Sequence, residues 1–268
     1  MVNFERKETY SLQDLIEILR ILRAPGGCPW DRAQTHLSDR RNFLEEAYEA
    51  AEAFDRDDPA LMCEELGDVL MQVAFHAQIE AERGRFTMAN VVDGVARKLV
   101  YRHPHVFGDV QADTSQQVLA NWEVLKRREK GQRSTADAIE AVPHTLPALW
   151  RAEKVQSKTA KAGFDWKSAL QALDKLEEEV RELRAALEAG QAADAPHGIR
   201  EELGDTLFMA AKIAQMSGVD PEDALHRACD KFDRRFRAVE EAANKPLPEC
   251  GEAELLALWN DAKSHDPS

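Results

Sequence analysis

The chain has 268 residues, 49 acidic and 35 basic, with a formal charge of −14, which excludes the basic face that a duplex nucleic-acid binder needs. No apolar run of about eighteen residues is present, so no membrane span is expected, and the amino-terminal Met1-Val2-Asn3-Phe4-Glu5 lacks the apolar core of a signal peptide. The cysteines (Cys28, Cys63, Cys229, Cys250) make no close pair and no Cys-x-x-Cys, which predicts reduced thiols in a cytoplasmic protein.

Strand signals are sparse. Ala, Leu, Glu and Arg dominate, so helices are expected almost throughout. Ser11-Leu12-Gln13-Asp14 has the form of a capped helix start, and Leu15, Ile16, Leu19 and Leu22 follow at helical spacing. Pro25-Gly26-Gly27-Cys28-Pro29 ends that helix in a loop. A helix over about 38–54 carries Glu46 and Glu49. Asp57-Asp58-Pro59 breaks it, and Pro59 suits the first turn of a helix over about 59–82 that carries Glu65 and Asp68. Gly84 closes this one. Helices over about 88–101, with Lys98 inside and Arg102 near its end, and 115–129, with Trp122 and Lys126, complete a first half. Residues 131–147, punctuated by Gly131, Pro143 and Pro147, read as a linker. Helices follow over about 147–162, 168–189, 197–217, 221–243 and 252–263, with Gln191 to Pro196 a polar turn. His105-Val106-Phe107-Gly108 is the one short strand-like stretch and is not credited as a strand.

A four-carboxylate pattern occurs twice. Glu46-x-x-Glu49 is followed sixteen residues later by Glu65-x-x-Asp68, and Glu179-x-x-Glu182 twenty residues later by Glu202-x-x-Asp205. Glu64-Glu65-Leu66-Gly67-Asp68 parallels Glu201-Glu202-Leu203-Gly204-Asp205. Lys98 and Arg102 match Lys231 and Arg235, and Trp122 matches Trp259, at offsets of 133 to 137. Compositional likeness between helices does not explain the cationic and aromatic landmarks. The expected fold is all-α: two homologous helical-bundle units, 1–130 and 148–268, joined by 131–147, with sites between acidic helices.

Acids three apart project from one helix face. Two such helices packed together gather four carboxylates, which are costly to bury unneutralised. Mg²⁺ prefers oxygen ligands and is usually completed by water and substrate phosphates; Mn²⁺ could take its place. For a lone Glu-x-x-Glu a solvated face is the plain reading, but two linked pairs, each repeated, favour a metal site. Gly67 and Gly204 inside helices, each costing about 1 kcal/mol against Ala, are expected to mark close helix packing. A di-iron bundle would need Glu-x-x-His motifs, and none occurs. Lys231 and Arg235 share a helix face and suit phosphate beside a metal. Trp259 either stacks on a base or caps the core. Phosphate-binding Gly-rich loops are absent, and His103-Pro104-His105 reads as a loop.

The doubled Glu-Glu-x-x-Glu and Glu-Leu-Gly-Asp elements, with Gly27-Cys28-Pro29-Trp30-Asp31, Arg102-His103-Pro104-His105-Val106-Phe107, Gly163-Phe164-Asp165-Trp166 and Lys231-Phe232-x-Arg234-Arg235-Phe236, resemble the MazG family of nucleoside triphosphate pyrophosphohydrolases. The resemblance runs from about Leu12 to Lys263. It implies Mg²⁺-dependent hydrolysis between the α and β phosphates, giving a nucleoside monophosphate and pyrophosphate, by a homodimer of tandem helical domains whose second unit is the main catalytic one. Carried over by motif, Glu179, Glu182, Glu202 and Asp205 would hold the metal. Glu178 and Glu201 would orient water or a second metal. Lys175, Lys231 and Arg235 would contact phosphate, Trp259 the nucleotide, and Lys126 would reach the site from the end of the first unit. Glu46, Glu49, Glu65 and Asp68 would form a second metal set. The family's basic residue before the second Glu-Glu is missing from His197-Gly198-Ile199-Arg200, where Arg200 could substitute. Two alternatives stay open: a non-enzymatic scaffold that binds a regulatory protein partner, and a pyrophosphatase for one biosynthetic nucleotide.

Overall fold

The computed structural model describes residues 4–266, so the first three residues of the amino-terminal stretch and the last two of the second unit lie outside it. Among the described residues all regular structure is helical. The chain divides into two compact units, Met1–Lys126 and Arg127–Ser268.

The first unit contains α1 (Leu12–Arg23), α2 (Pro29–Ala33), α3 (His36–Arg56), α4 (Pro59–Glu82), α5 (Met88–Arg102) and α6 (Pro104–Phe107). Helix α7 (Ser115–Glu129) runs across the boundary. Local chemistry sets the ends. Ser11 and Asp14 form a reciprocal capping box at α1, Asp58 caps α4 ahead of Pro59, and Asp57 closes α3 in the left-handed region at φ 51°. The core is small: Leu19 of α1 packs against Ala74, Phe75 and Ile79 of α4, flanked by Leu15, Leu22 and Met71.

The second unit contains α8 (Thr135–Glu140), α9 (Ala148–Lys161), α10 (Ala169–Glu188), α11 (Ile199–Met216), α12 (Pro221–Ala242) and α13 (Glu252–His265), with a 3₁₀ turn at Leu247–Glu249. Helices α10 and α11 pack along their length, as α3 and α4 do in the first unit. Asp220 caps α12 and also accepts a hydrogen bond from the Trp150 indole at 3.0 Å, tying α9 to α12.

Three expectations change. The 131–147 segment holds α8, started by a Ser134–Asp137 capping box and packed on α9. His103-Pro104-His105, read as a loop, leads straight into α6 because Pro104 occupies a first helical turn, and the His105–Gly108 stretch is, as expected, no strand. Gly67 and Gly204 do not mark close packing within the chain: a Cβ at either position would meet nothing within 4 Å. Leu66, Leu203 and Leu207 beside them are likewise exposed.

Candidate active site

Helix α10 carries Lys175, Glu178, Glu179 and Glu182, and α11 carries Glu201, Glu202 and Asp205. The pairing of these helices brings one oxygen each from Glu179, Glu202 and Asp205 within 4.8 Å of one another. Glu179 and Glu202 are 7% and 5% exposed, and Asp205 stands at the rim. Glu182 is exposed and is not one of the three, although its charge still acts on Glu202.

The cluster is short of positive charge. Burial pushes the Glu202 carboxyl up, the charges of Glu182, Glu201 and Asp205 add to the rise, and His197 opposes it. Burial also raises Asp205, with Glu179 and Glu201 adding and Lys175 opposing. The Lys175 ammonium lies 2.7 Å from Glu178 and 2.8 Å from Glu179. These two hydrogen bonds hold its pKa well above the ordinary lysine value, while Lys175 draws Glu178 down. Lys175, expected at phosphate, is paired here with two of the cluster's own acids.

The turn before α11 contributes as well. His197 sits at φ 54°, donates its backbone N–H to Glu201 Oε2 at 2.7 Å, and places Nδ1 3.6 Å from Glu202. Arg200 does not take that place: it pairs with Asp194 at 2.5 Å, and its side chain is 75% exposed.

Of the remaining expected residues, Lys231 and Arg235 stand on α12, Trp259 on α13 and Lys126 in the first unit. Lys231 is partly buried on α12. Arg235, one turn on, donates to Asp266 at 2.8 Å. Burial works against the Asp266 carboxylate, but the hydrogen bond from Arg235 and the charges of Arg234 and Arg235 outweigh it and hold the pKa below the usual range. Trp259 packs on Phe232 with ring centroids 5.3 Å apart and lines an apolar groove of about 520 Å³ with Phe236, Val239, Leu247 and Leu256. Lys126 sets its ammonium 4.4 Å from the Trp122 ring centre, within the first unit.

The first unit repeats the arrangement with a difference. Glu46, Glu49 and Glu65 converge within 4.8 Å, with Asp68 outside the trio. Burial raises the Glu46 carboxyl and Asp68, Glu49 and Glu65 add to it; burial and the acids around Glu65 raise that group as well. The residue one turn before Glu46 is Asn42, where the second unit has Lys175. Asn42 donates to Asp39.

One buried cation escaped the sequence reading. Lys212 of α11 is 1% exposed and pairs with Asp165 at 2.5 Å. It also donates to Gln215 and lies 5.9 Å from the Trp166 ring centre. A lone lysine within Phe208-Met209-Ala210-Ala211-Lys212-Ile213-Ala214 was the available signal, since a buried charge requires a partner. The pair fastens the Gly163–Trp166 loop, which leads into α10, onto the helix that carries Glu202 and Asp205.

Paired helices with convergent, charge-deficient carboxylates and an adjoining lysine define an all-α class of phosphoanhydride hydrolase. The family model of the MazG nucleotide pyrophosphohydrolase domain matches residues 34–107 and 167–239. The chain is 41% identical over 257 residues to the nucleoside triphosphate pyrophosphohydrolase/pyrophosphatase MazG of Thermotoga maritima, covering 95% of this chain and 96% of that one. It is 43% identical over 227 residues to the nucleoside triphosphate pyrophosphohydrolase of Escherichia coli, covering 84% and 86%. It also resembles a Bacillus subtilis protein of uncharacterized function, YabN, at 44% identity over 92% of this chain and 50% of that one. This chain belongs to the MazG family and is a metal-dependent nucleotide pyrophosphohydrolase. Among the described residues no helix is long and apolar enough to cross a membrane.

Proposed function

We propose that the second unit is where this chain carries out the nucleoside triphosphate pyrophosphohydrolysis of its family, converting an NTP or dNTP and water to the monophosphate and pyrophosphate. The role is clearance of the nucleotide pool. The observation that carries this reading is the convergence of Glu179, Glu202 and Asp205 beside Lys175, where the first unit offers Asn42.

The donors are all oxygen, and burial, with the charges of neighbouring acids, raises the Glu202 and Asp205 carboxyls, which fits a hard divalent ion, Mg²⁺ or alternatively Mn²⁺. Glu179, Glu202 and Asp205 would hold it, with Glu182 available from the rim. When bound, the cation supplies charge neutralisation at phosphate oxygens and promotes ionisation of water. Glu178 and Glu201, exposed at the edge of the trio, would accept the proton of the attacking water. Lys175 and Lys231 offer ammonium groups to the phosphates, where charge accumulates as the anhydride breaks. Arg235 joins them only by exchanging Asp266 for phosphate. Trp259 presents its ring in the apolar groove to the base.

A homodimer accounts for the surface. The chain exposes 18956 Å², whereas two compact units of half its mass would together expose about 14,000 Å². Exposed Leu66, Leu70, Leu203 and Leu207 on the acidic helices belong to that excess. The four free cysteines support a reducing, cytoplasmic location.

A matched pair of variants tests the choice of unit: Glu65→Gln with Asp68→Asn, and Glu202→Gln with Asp205→Asn. The second pair should abolish metal-dependent pyrophosphate release and the first should leave it largely intact; the reverse result would move the site to the first unit. Release of orthophosphate and a diphosphate would overturn the reaction itself.

A further inference from the structure

We propose that His36 and His76 of the first unit form a two-imidazole binding site for a borderline transition-metal ion such as Zn²⁺, separate from both carboxylate clusters. His36 opens α3 and His76 lies in the last third of α4. Their Nδ1 atoms are 2.9 Å apart. The ring centres are 5.0 Å apart and the planes inclined by 29°. Nitrogens closer than the ring centres lie between them, so the rings meet edge to edge with in-plane lone-pair directions facing each other.

A carboxylate backs the far nitrogen of each ring. His36 Nε2 lies 2.5 Å from Glu80, which also accepts from Arg83 and Arg85. The hydrogen bonds from His36 and Arg85 hold Glu80 down to about 2, so it is an acceptor and His36 Nε2 carries the proton. The Nδ1 of neutral His36 is then a lone pair. His76 Nε2 lies 3.7 Å from Asp39 Oδ2. Asp39 is 3% exposed, and this oxygen has no hydrogen-bond partner among the described residues. A neutral His76 has one proton to place. On Nδ1 it satisfies His36 but turns a lone pair toward Asp39; on Nε2 it serves Asp39 but leaves two lone pairs face to face. Neither tautomer satisfies both contacts. A cation between the rings satisfies them all.

That cation is a proton or a metal ion. A histidine ligand characteristically donates its second N–H to a carboxylate, which fixes the tautomer and raises the basicity of the ligating nitrogen. Here His36 has that backing in Glu80, and His76 Nε2 faces the Asp39 carboxylate at 3.7 Å, a small turn short of a hydrogen bond. Imidazole suits Zn²⁺, Ni²⁺ and Cu²⁺. Two nitrogens on one tetrahedral Zn²⁺, each at about 2.0–2.1 Å, stand about 3.3 Å apart, so the pair must open by about 0.4 Å and each ring must turn by about 35° to aim its lone pair at the ion. The His36 side chain is 40% exposed and that of His76 21%, which leaves room for water to complete the shell.

The test uses the untagged full chain, with excess Mg²⁺ to saturate the carboxylate clusters. Equilibrium dialysis against Zn²⁺ should find an ion that His36→Ala or His76→Ala weakens by at least about tenfold, and Asp39→Asn by about 10- to 100-fold without removing a ligand. His103→Ala with His105→Ala should bind as the parent does. Electron paramagnetic resonance of Cu²⁺ on that last variant should show coupling to two nitrogens, which keeps the test valid if the His36 or His76 variants fail to fold. Unchanged Zn²⁺ binding in folded His36→Ala, loss of binding in the His103/His105 variant, or an oxygen-only Cu²⁺ spectrum would overturn the proposal and leave a shared proton between the rings.

Discussion

Lys212→Met removes the ammonium from a site that is 1% exposed while keeping most of the apolar stem. Asp165 then stays where it is, 28% exposed at its side chain, without the cation 2.5 Å away. Removing one partner of a fully buried pair costs about 3–5 kcal/mol. The partial exposure of Asp165 lets water recover some of that, which brings the loss to about 2–3 kcal/mol, at or below the floor of that range. At about 2–4 °C per kcal/mol for a unit of this size, the midpoint should fall by about 5–10 °C. The Asp165→Asn partner closes a double-mutant cycle. With both changes the loss should be smaller than the sum of the singles, with a coupling of at least about 1 kcal/mol. Denaturant unfolding followed by tryptophan fluorescence reads this, since Trp166 adjoins the pair. Additive effects, or a Lys212→Met chain within about 0.5 kcal/mol of the parent, would refute the pair as the fastening of the Gly163–Trp166 loop.

Glu202→Gln should reduce metal-dependent pyrophosphate release at least about tenfold yet leave the metal-free fold intact, because it removes one charge from a mutually repelling set; activity that persists at saturating Mg²⁺ would remove Glu202 from the metal set. The hydrogen bond from Lys7, with those from Ser11, holds Asp14 down to about 2. Its folded value is depressed, so its stabilisation of the α1 start is present above the ordinary aspartate pKa and fades as pH falls through about 2. The melting difference between parent and Asp14→Asn should therefore shrink over that acid range, and a constant difference would contradict it. Gly204→Ala should stabilise the isolated chain by up to about 1 kcal/mol, because a Cβ there meets nothing. Light scattering on the same variant tests the proposed dimer: if a partner covers this face closely, the gain in helix propensity comes with weakened association.

The helix starts and stops were legible because their chemistry is local. Ser11 caps α1 where its spacing to Asp14 indicated, and Pro59 opens α4 as its place after Asp57-Asp58 indicated. Helices α2, α6 and α8 were not, since six residues or fewer carry no periodicity and the prolines in or beside them (Pro29, Pro104 and Pro143) read as breakers. The convergence of Glu179, Glu202 and Asp205 was visible in the doubled spacing; the exclusion of Glu182 and Asp68 depends on helix rotation, which spacing does not specify. The place of His197 depends on a left-handed turn at a non-glycine residue, and the pairing of Arg235 with Asp266 crosses 31 positions, so neither leaves a sequence signal. The two interior glycines misled because the rule that ties them to close packing assumes a neighbour, and none within the chain is near.

The alignment that pairs Glu65 with Glu202 also pairs Phe75 with Lys212. In the first unit the cation arrives from another helix: Arg23 of α1 lies 5.0 Å from the Phe75 ring centre and forks onto Glu82 at 2.8 and 2.9 Å. The two halves have thus reached the same local neutrality through different helices. Copying Phe75 into position 212 would strand Asp165, and copying Lys212 into position 75 would set an ammonium against the Arg23 guanidinium. The repeats no longer exchange parts one helix at a time; recombination between them could succeed only by carrying the compensating helix or loop along with the substituted one.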